Sequence, residues 1–170
     1  MINNYSCINI YENRNKKSKL SSQILYGEKF TILKKYKDWY KIKTDYDKYV
    51  GYIKQKKFDE HIHKPTHKVS SLNAKIYSKP SKTAKVKMKL SFTSLIQVKS
   101  TNKGFFNFDN YWIQKCDVVP LSYKEKIFKR VKIFRNVKYK WGGKKFDGVD
   151  CSGLIQLFYK FNNLYCPRDT

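Results

Sequence analysis

The sequence has few cysteines, few acidic residues and no long apolar run, and each shortage excludes a class of protein. The four cysteines, Cys7, Cys116, Cys151 and Cys166, lie far apart and form no C-x-x-C pair, which argues against a zinc site and a small disulfide scaffold. No stretch approaches the roughly 20 consecutive apolar residues of a membrane-spanning helix. Residues 1–20 lack the apolar segment and cleavage site of a signal peptide, so we expect a cytoplasmic protein, with the cell envelope as the alternative.

Acidic side chains are greatly outnumbered by basic ones. The sequence contains 37 lysines and arginines against 13 aspartates and glutamates, which gives a formal net charge of +24. Such a charge attracts polyanions such as nucleic acid, anionic lipid or acidic cell-wall polymers. Because the lysines are spread over nearly every segment rather than concentrated in one, we predict no specific nucleic-acid partner. With 170 residues, 41% of them hydrophobic, the chain can still bury two or three small cores.

An internal repeat organises the first 119 residues. A shift of 66 positions aligns apolar residues of similar type: Ile10 with Ile76, Ile24 with Leu90, Tyr26 with Phe92, Phe30 with Ile96 and Ile42 with Phe108. Alternating apolar residues, as at Phe30 and Ile32 or at Val50 and Tyr52, have the period of half-buried strands. We therefore predict two small β-barrels, at residues 1–60 and 69–119.

A polar segment at residues 61–68 is predicted to link the two barrels. It contains His61, His63 and His67, a residue type that often binds metal. No acidic residue or cysteine accompanies these histidines within the segment, and a solvated linker explains them equally well. We therefore predict no metal and no cofactor.

The hydrophobic period changes from strand to helix after Pro120. Ser122 and Glu125 have the spacing of a capping box, which marks the start of a helix. Apolar residues then recur on one helical face: Ile127, Phe128, Val131 and Phe134. These signals predict an α-helix from Ser122 to about Asn136, as the first element of a third domain at residues 120–170.

A cysteine at the start of a second helix is the most reactive group that the sequence predicts. Cys151 lies in the small-residue segment 150–153 and precedes a helical apolar face: Leu154, Leu157, Phe158 and Phe161. The positive end of a helix favours the thiolate, which is the nucleophilic form of cysteine. We predict that Cys151 is a nucleophile, the alternative being an ordinary buried cysteine. Cys7 and Cys116 fall in or beside predicted strands, so we expect them to be partly covered.

The C-terminal motifs resemble a known family. Tyr139-x-Trp141-Gly142-Gly143, then Asp150-Cys151-Ser152-Gly153-Leu154 and Pro167-Arg168, resemble the N-terminal part of an NlpC/P60 cysteine peptidase domain. The two repeats resemble bacterial SH3 domains, and the whole order is similar to γ-D-glutamyl-L-diamino acid endopeptidases. The resemblance implies two small SH3-like β-barrels followed by the N-terminal helices of an α+β papain-like domain. It also implies hydrolysis of the γ-D-glutamyl–diamino acid bond in a peptidoglycan stem peptide or muropeptide.

The resemblance assigns roles to five residues of this sequence. Cys151 is implied to be the nucleophile, and Tyr139 to line the cleft and stabilise the oxyanion. Asp150 and Ser152 are implied to hold the free amine of the stem peptide. Tyr49 matches a tyrosine that closes the far end of the cleft, within Asp47-Lys48-Tyr49-Val50-Gly51-Tyr52.

The base that a thiol peptidase needs is not found beside these motifs. The family carries its catalytic histidine on strands after the cysteine helix, and no histidine follows Cys151 in the sequence. We therefore expect the 170-residue chain to be truncated before this histidine and inactive as a peptidase. The alternative function is a non-catalytic module that binds cell-wall peptide or a polyanion.

Overall fold

The computed structural model describes residues 1–58 and 64–168, so His61 and His63 of the predicted linker lie outside the described residues. The first β-unit has the strands β1 (Cys7–Tyr11), β2 (Leu20–Leu25), β3 (Phe30–Lys35), β4 (Trp39–Thr44) and β5 (Val50–Lys54). These strands form one antiparallel sheet in the order β2-β1-β5-β4-β3. Strand β5 is therefore the central strand of this sheet, between β1 and β4.

The second β-unit repeats this strand order in a five-stranded sheet and adds a second sheet of three short strands. Its strands are β6 (His67–Val69), β7 (Asn73–Tyr77), β8 (Val86–Ser91), β9 (Leu95–Ile96), β10 (Ser100–Asn102), β11 (Phe105–Phe108), β12 (Tyr111–Gln114) and β13 (Val118–Pro120). They form two sheets, in the orders β10-β11-β12-β7-β8 and β13-β6-β9. The C-terminal end of the predicted linker, at His67 and Lys68, is therefore part of β6.

The internal repeat is confirmed by the strands and by the core. Strands β7 and β8 lie 66 positions after β1 and β2 at both ends. The aligned pairs Ile10 and Ile76, and Ile24 and Leu90, have no exposed surface. The same side chains thus form the centre of each unit's core.

The predicted inner face of β5 is wrong by one residue. Val50 is 45% exposed, whereas Gly51 and Ile53 are buried. A Cβ atom on residue 51 would lie only 2.4 Å from Cγ2 of Ile10, so β5 passes too close to β1 for a larger inward side chain. The bulky Val50 and Tyr52 therefore lie on the other face.

The C-terminal unit contains one α-helix among its described residues. Its elements are a 3-10 helix (Val131–Phe134), the short strands β14 (Lys144–Lys145) and β15 (Gly148–Val149), and α1 (Cys151–Phe161). The predicted helix at Cys151 is confirmed, with Leu157, Phe158 and Phe161 buried and Leu154 packed beside them. Within the described residues, no helix has both the length and the apolar character needed to cross a membrane.

The α-helix predicted from Ser122 to Asn136 is wrong. The Glu125 carboxylate accepts hydrogen bonds from Arg130 Nε at 2.7 Å and from the Tyr123 hydroxyl at 3.1 Å, instead of capping a helix at Ser122. Phe128 adopts a left-handed backbone conformation with φ of 66°, which interrupts any helix through it. Instead of two α-helices, the described residues after Pro120 form one α-helix, α1, and one short 3-10 helix, and the papain-like domain stays a prediction.

One core joins the three units. Phe92 of the second β-unit stacks on Phe161 of α1, with ring centroids 4.7 Å apart. Leu25 of β2 and Phe134 of the 3-10 helix pack into the same cluster. The first β-unit is therefore held against α1, and its surface contributes to the site described below.

A buried lysine fastens the second β-unit to the end of α1. The Lys68 side chain donates to the main-chain oxygens of Leu121 at 3.0 Å, Tyr123 at 2.6 Å and Phe161, and to Asn163 Oδ1 at 3.2 Å. Burial lowers the pKa of Lys68 to about 8. The carbonyl oxygens around its amine compensate for the loss of water.

We expect Lys68→Met to lower the free energy of unfolding by about 2 kcal/mol, because three main-chain oxygens lose their donor. Urea denaturation at pH 7 measures the change. The control is Lys75→Met on the exposed side of β7, which should change stability by less than about 0.5 kcal/mol. Equal effects of the two substitutions would contradict a structural role for Lys68.

Candidate active site

A cleft of about 210 Å³ lies where the first β-unit meets the C-terminal unit. Its lining residues are Glu12, Ser21, Tyr49, Tyr139, Trp141, Asp150, Cys151, Ser152 and Arg168. All five predicted site residues are among them, although they come from segments about 100 residues apart. The other four, Glu12, Ser21, Trp141 and Arg168, were not predicted as site residues.

Cys151 is exposed at the first position of α1. Asp150 precedes it as the N-cap residue, and its Oδ1 accepts a hydrogen bond from the Gly153 N–H at 2.7 Å. This cap satisfies one of the unpaired N–H groups of the first turn and starts the helix at the cysteine. The thiol therefore opens into the cleft while the apolar face of α1 packs below it.

Asp150 forms a buried, bidentate ion pair with Arg168. The guanidinium donates from Nη1 to Oδ1 at 2.8 Å and from Nη2 to Oδ2 at 2.6 Å. The Gly142 N–H donates to Oδ2 at 2.7 Å. Burial alone would raise the pKa of Asp150, but the hydrogen bonds from Arg168 and Gly153 outweigh burial and hold this pKa below its usual range.

The predicted contact of Asp150 with a substrate amine stays a prediction, and the geometry adds a second role. Both carboxylate oxygens already accept hydrogen bonds from the protein, so Asp150 fixes the cleft wall. Ser152 Oγ also accepts a hydrogen bond from Arg168 Nη1. Arg168 was not predicted as a site residue, yet it positions Asp150 and Ser152, the two residues that flank Cys151.

The segment before β14 presents two aromatic side chains to solvent. Tyr139 is 66% exposed and Trp141 is 62% exposed, values that are high for such large rings. Gly142 turns the chain with φ of +70°, and a Cβ atom there would lie 2.4 Å from the Leu20 carbonyl oxygen. Glycine is thus needed where this segment lies against β2, and Tyr139 and Trp141 are left to line the cleft.

The turn that carries Tyr49 is tied to α1. The Tyr49 N–H donates to Thr44 Oγ1 at 2.8 Å, and the Thr44 hydroxyl donates to the Asp47 carboxylate. The Asp47 carboxylate also accepts from Gln156 Nε2 at 2.9 Å. Burial would raise the pKa of Asp47, but the charge of Lys144 and these hydrogen bonds lower it below its usual range. The Asp47 carboxylate and the Gln156 side-chain amide thus connect the Tyr49 turn to α1, the helix that begins at Cys151.

Glu12 is the acidic residue that sequence reasoning missed. It follows β1, is exposed, and lines the cleft. Among the described residues, no side chain forms an ion pair with its carboxylate. No local motif marks this residue, because its position in the cleft depends on how the first β-unit packs against the C-terminal unit.

The described residues supply no histidine to this cleft. His67 lies in β6, where its ring packs against Phe106 with centroids 4.9 Å apart. The cleft-lining residues thus contain a nucleophile but no imidazole base. In the part of the chain that the structure describes, no group of His, Cys, Asp and Glu has the arrangement of a metal site.

The other cysteines differ in exposure. Burial raises the pKa of Cys7 to about 12 and also raises the pKa of Cys166. Cys116 is exposed, so the expectation that it is covered is wrong. It lies in a 3-10 helix (Lys115–Asp117) that connects β12 to β13 and buries none of its residues.

We expect Cys151 to react first when the protein is treated with limiting iodoacetamide at pH 6. Cys151 lies at the N-terminus of the 11-residue helix α1, the end that attracts negative charge, whereas Cys116 lies in a helix of only three residues. Peptide mapping by mass spectrometry gives the order of modification. Cys116 is the matched control because it is also exposed, and faster modification of Cys116 would count against the nucleophile assignment.

We expect Asp150→Asn to lower the free energy of unfolding by about 3 kcal/mol at pH 7, because Arg168 loses its buried partner. The pKa of Asp150 is lowered by folding, so its stabilising effect is present above the unfolded pKa of about 4 and is lost as pH falls through the folded pKa. The difference from wild type should therefore shrink below about pH 4. Urea denaturation between pH 2 and pH 7 measures it.

The control for this substitution is Asp147→Asn. The Asp147 side chain is 45% exposed and pairs with Lys145 at 2.8 Å. Removing such a surface pair should cost less than about 1 kcal/mol. A stability difference for Asp150→Asn that stays constant down to pH 2 would contradict the role given to the ion pair.

Comparisons with known protein families agree with the two halves of this cleft. Residues 10–58 match the family described as bacterial dipeptidyl-peptidase Sh3 domain. Residues 136–170 match the NlpC/P60 family. The first match covers Tyr49 and Glu12, and the second covers Tyr139, Asp150 and Cys151.

Two curated relatives and one solved structure are similar over most of this chain. The γ-D-glutamyl-L-lysine dipeptidyl-peptidases of Bacillus subtilis and Bacillus cereus are 25% and 24% identical to it, over 88% and 90% of its length. The chain spans 56% and 54% of those two proteins. The crystal structure of an NlpC/P60 family protein from Bacillus cereus superimposes with a TM-score of 0.84 at 18% identity, covering 99% of this chain and 74% of that one.

The solved structure supports the fold, and the two family matches support the assignment of its parts. A segment that matches the bacterial SH3 model precedes a segment that matches the NlpC/P60 model, in the order that the motifs around Tyr49 and Cys151 predicted. The resemblance of this chain to NlpC/P60 family proteins that carry bacterial SH3 domains is therefore confirmed.

Proposed function

We propose that the cleft is the nucleophile-bearing part of a thiol peptidase site for cell-wall peptides. The observation that carries the proposal is the exposed Cys151 at the start of α1, in one cleft with Tyr49, Tyr139 and Glu12. The curated relatives are named for the γ-D-glutamyl-L-lysine bond, which supports this bond as the one cleaved. The family match at residues 136–170 supports the reaction class.

The proposed reaction begins with attack of the Cys151 thiolate on the γ-carbonyl carbon of D-glutamate. The Tyr139 hydroxyl donates a hydrogen bond to the oxyanion that forms. Collapse of the tetrahedral intermediate breaks the C–N bond, and the amine leaves with a proton from a general acid. Water then hydrolyses the thioester and regenerates the thiol.

The proton transfers require a group that the described cleft residues lack. A histidine is the usual partner of a nucleophilic cysteine, and His67 packs against Phe106, away from the cleft. We therefore propose that the 170-residue chain binds the peptide beside the Cys151 thiol but does not hydrolyse it. A non-catalytic binding module is the alternative, and it makes no demand on the reactivity of Cys151.

The free amine of the peptide is proposed to bind at the Glu12 and Tyr49 end of the cleft. Asp150 and Ser152 face the same space, but the charge of Asp150 is balanced by Arg168. Glu12 thus supplies the net negative charge that an ammonium group needs. An acidic cleft end of this kind would favour peptides that carry a free N-terminal ammonium group.

The proposal is tested by labelling with L-Ala-γ-D-Glu that carries a chloromethyl ketone in place of the scissile amide. We expect Cys151 to react about tenfold faster with the free-amine compound than with its N-acetyl form, the ratio that about 1.4 kcal/mol of charge-assisted binding gives. Glu12→Gln and Tyr49→Phe should reduce this ratio. Intact mass and peptide mapping measure the adduct.

Controls separate recognition from reactivity. Both variants should react with iodoacetamide at the wild-type rate, and Asp38→Asn, an exposed change in the turn between β3 and β4, should keep the full ratio. Equal labelling by the acetylated compound in wild type would contradict the amine site. Peptide binding without any Cys151 adduct would favour the non-catalytic module.

A further inference from the structure

We propose that a second cleft, beside the candidate active site, binds a short oligophosphate. This cleft has a volume of about 410 Å³ and lies between β1, β5 and the C-terminal unit. Its cationic lining residues are Lys16, Lys54, Lys56, Lys140 and Lys145. We call it the lysine cleft.

The lysine cleft and the active-site cleft share one wall. Tyr139 and Trp141 line the active-site cleft, whereas Lys140 between them lines the lysine cleft. Successive side chains of an extended segment point to opposite sides, so residues 139–141 separate the two spaces. The lysine cleft is therefore a distinct site.

The positive charge of the lysine cleft is not balanced by its own lining. None of the described lining residues carries a carboxylate. Lys145 pairs with Asp147 at 2.8 Å, but Lys16, Lys54 and Lys140 form no ion pair with another described residue. Mutual repulsion of these ammonium groups is relieved when an anion binds among them.

Several of the lysines are held in place before any ligand arrives. The Lys56 amine lies 4.1 Å from the centre of the Tyr5 ring, and the Lys145 amine lies 4.8 Å from that of Phe146. The side-chain stem of Lys140 packs against Gly148: a Cβ atom added at Gly148 would lie only 2.5 Å from the Cβ atom of Lys140. Fixed cations lose less conformational entropy on binding than mobile ones.

Three neutral polar residues that line the lysine cleft, Asn9, Tyr11 and Gln23, are joined by hydrogen bonds. Gln23 Nε2 donates to Asn9 Oδ1 at 2.9 Å, and Asn9 Nδ2 donates to the Tyr11 hydroxyl oxygen at 3.3 Å. The Tyr11 proton is then directed away from Asn9 and available to an anion. Burial raises the pKa of Cys7 to about 12, so its thiol stays neutral.

The kind of cation indicates the kind of anion. Lysine ammonium groups are compact point charges, and they bind phosphate oxygens without requiring one planar geometry. Several unpaired ammonium groups within one small space call for a ligand with closely spaced negative charges. Consecutive phosphate groups supply such a density in a volume of this size, and isolated carboxylates do not.

Binding is tested by calorimetry with tripolyphosphate on the whole chain. The triple variant Lys16→Gln, Lys54→Gln, Lys140→Gln should weaken binding at least tenfold. The matched control is Lys75→Gln, Lys82→Gln, Lys87→Gln, which removes the same charge from exposed positions of the second β-unit and should weaken binding less than threefold. Equal losses in both variants would overturn the proposal, because they would indicate attraction by net charge alone.

Two more arms identify the phosphate source and locate the site. Tighter binding of tripolyphosphate than of a thymidine pentanucleotide indicates a free oligophosphate, and the reverse indicates a phosphodiester chain. Tighter binding of pentaglutamate than of either would overturn the phosphate assignment.

If the triple variant does not fold, acetylation footprinting of the wild type replaces it: tripolyphosphate should protect Lys54 and Lys140 but not Lys75, and equal protection would overturn the site. Cys151→Ala should bind tripolyphosphate like wild type, which keeps this test independent of the peptidase proposal.

Discussion

The buried ion pair between Asp150 and Arg168 is the interaction on which the candidate site depends. It holds the first turn of α1, the main chain at Gly142 and, through Arg168 Nε to Ser22 Oγ at 3.2 Å, the edge of the first β-unit. Each of these contacts fixes one wall of the cleft. The position of Cys151 relative to its neighbours is therefore set by a single charged pair that is shielded from water.

The site is built by the packing of one unit against another. Glu12 and Tyr49 belong to the first β-unit, whereas Cys151 and Tyr139 belong to the C-terminal unit. The buried amide of Gln156 bridges them, because it donates to Asp47 in the Tyr49 turn and to the Cys166 carbonyl beside Arg168. The first β-unit thus forms part of the candidate cleft itself, and under the proposed function a peptide end is recognised by residues far apart in sequence.

Local patterns in the sequence predicted the strands, the repeat and the cysteine helix, and tertiary contacts decided the rest. The 66-residue shift identified buried residues of both β-units because strand period and burial coincide there, although Tyr26 packs in the core of the second β-unit and Phe92 packs against α1. The helix predicted at Ser122 does not form, since Glu125 pairs with Arg130 and Phe128 has φ of 66°. Glu12 was not predicted, because only the packing of the first β-unit against the C-terminal unit brings it to the cleft.

A crystal structure of the chain alkylated at Cys151 by L-Ala-γ-D-Glu chloromethyl ketone tests the central claim most directly. The quantity to measure is the distance from the peptide's ammonium nitrogen to the Glu12 carboxylate. We predict about 3 Å, with the γ-carbonyl oxygen directed at the Tyr139 hydroxyl. An adduct whose ammonium group lies in solvent, more than about 6 Å from Glu12 and Tyr49, would contradict the account.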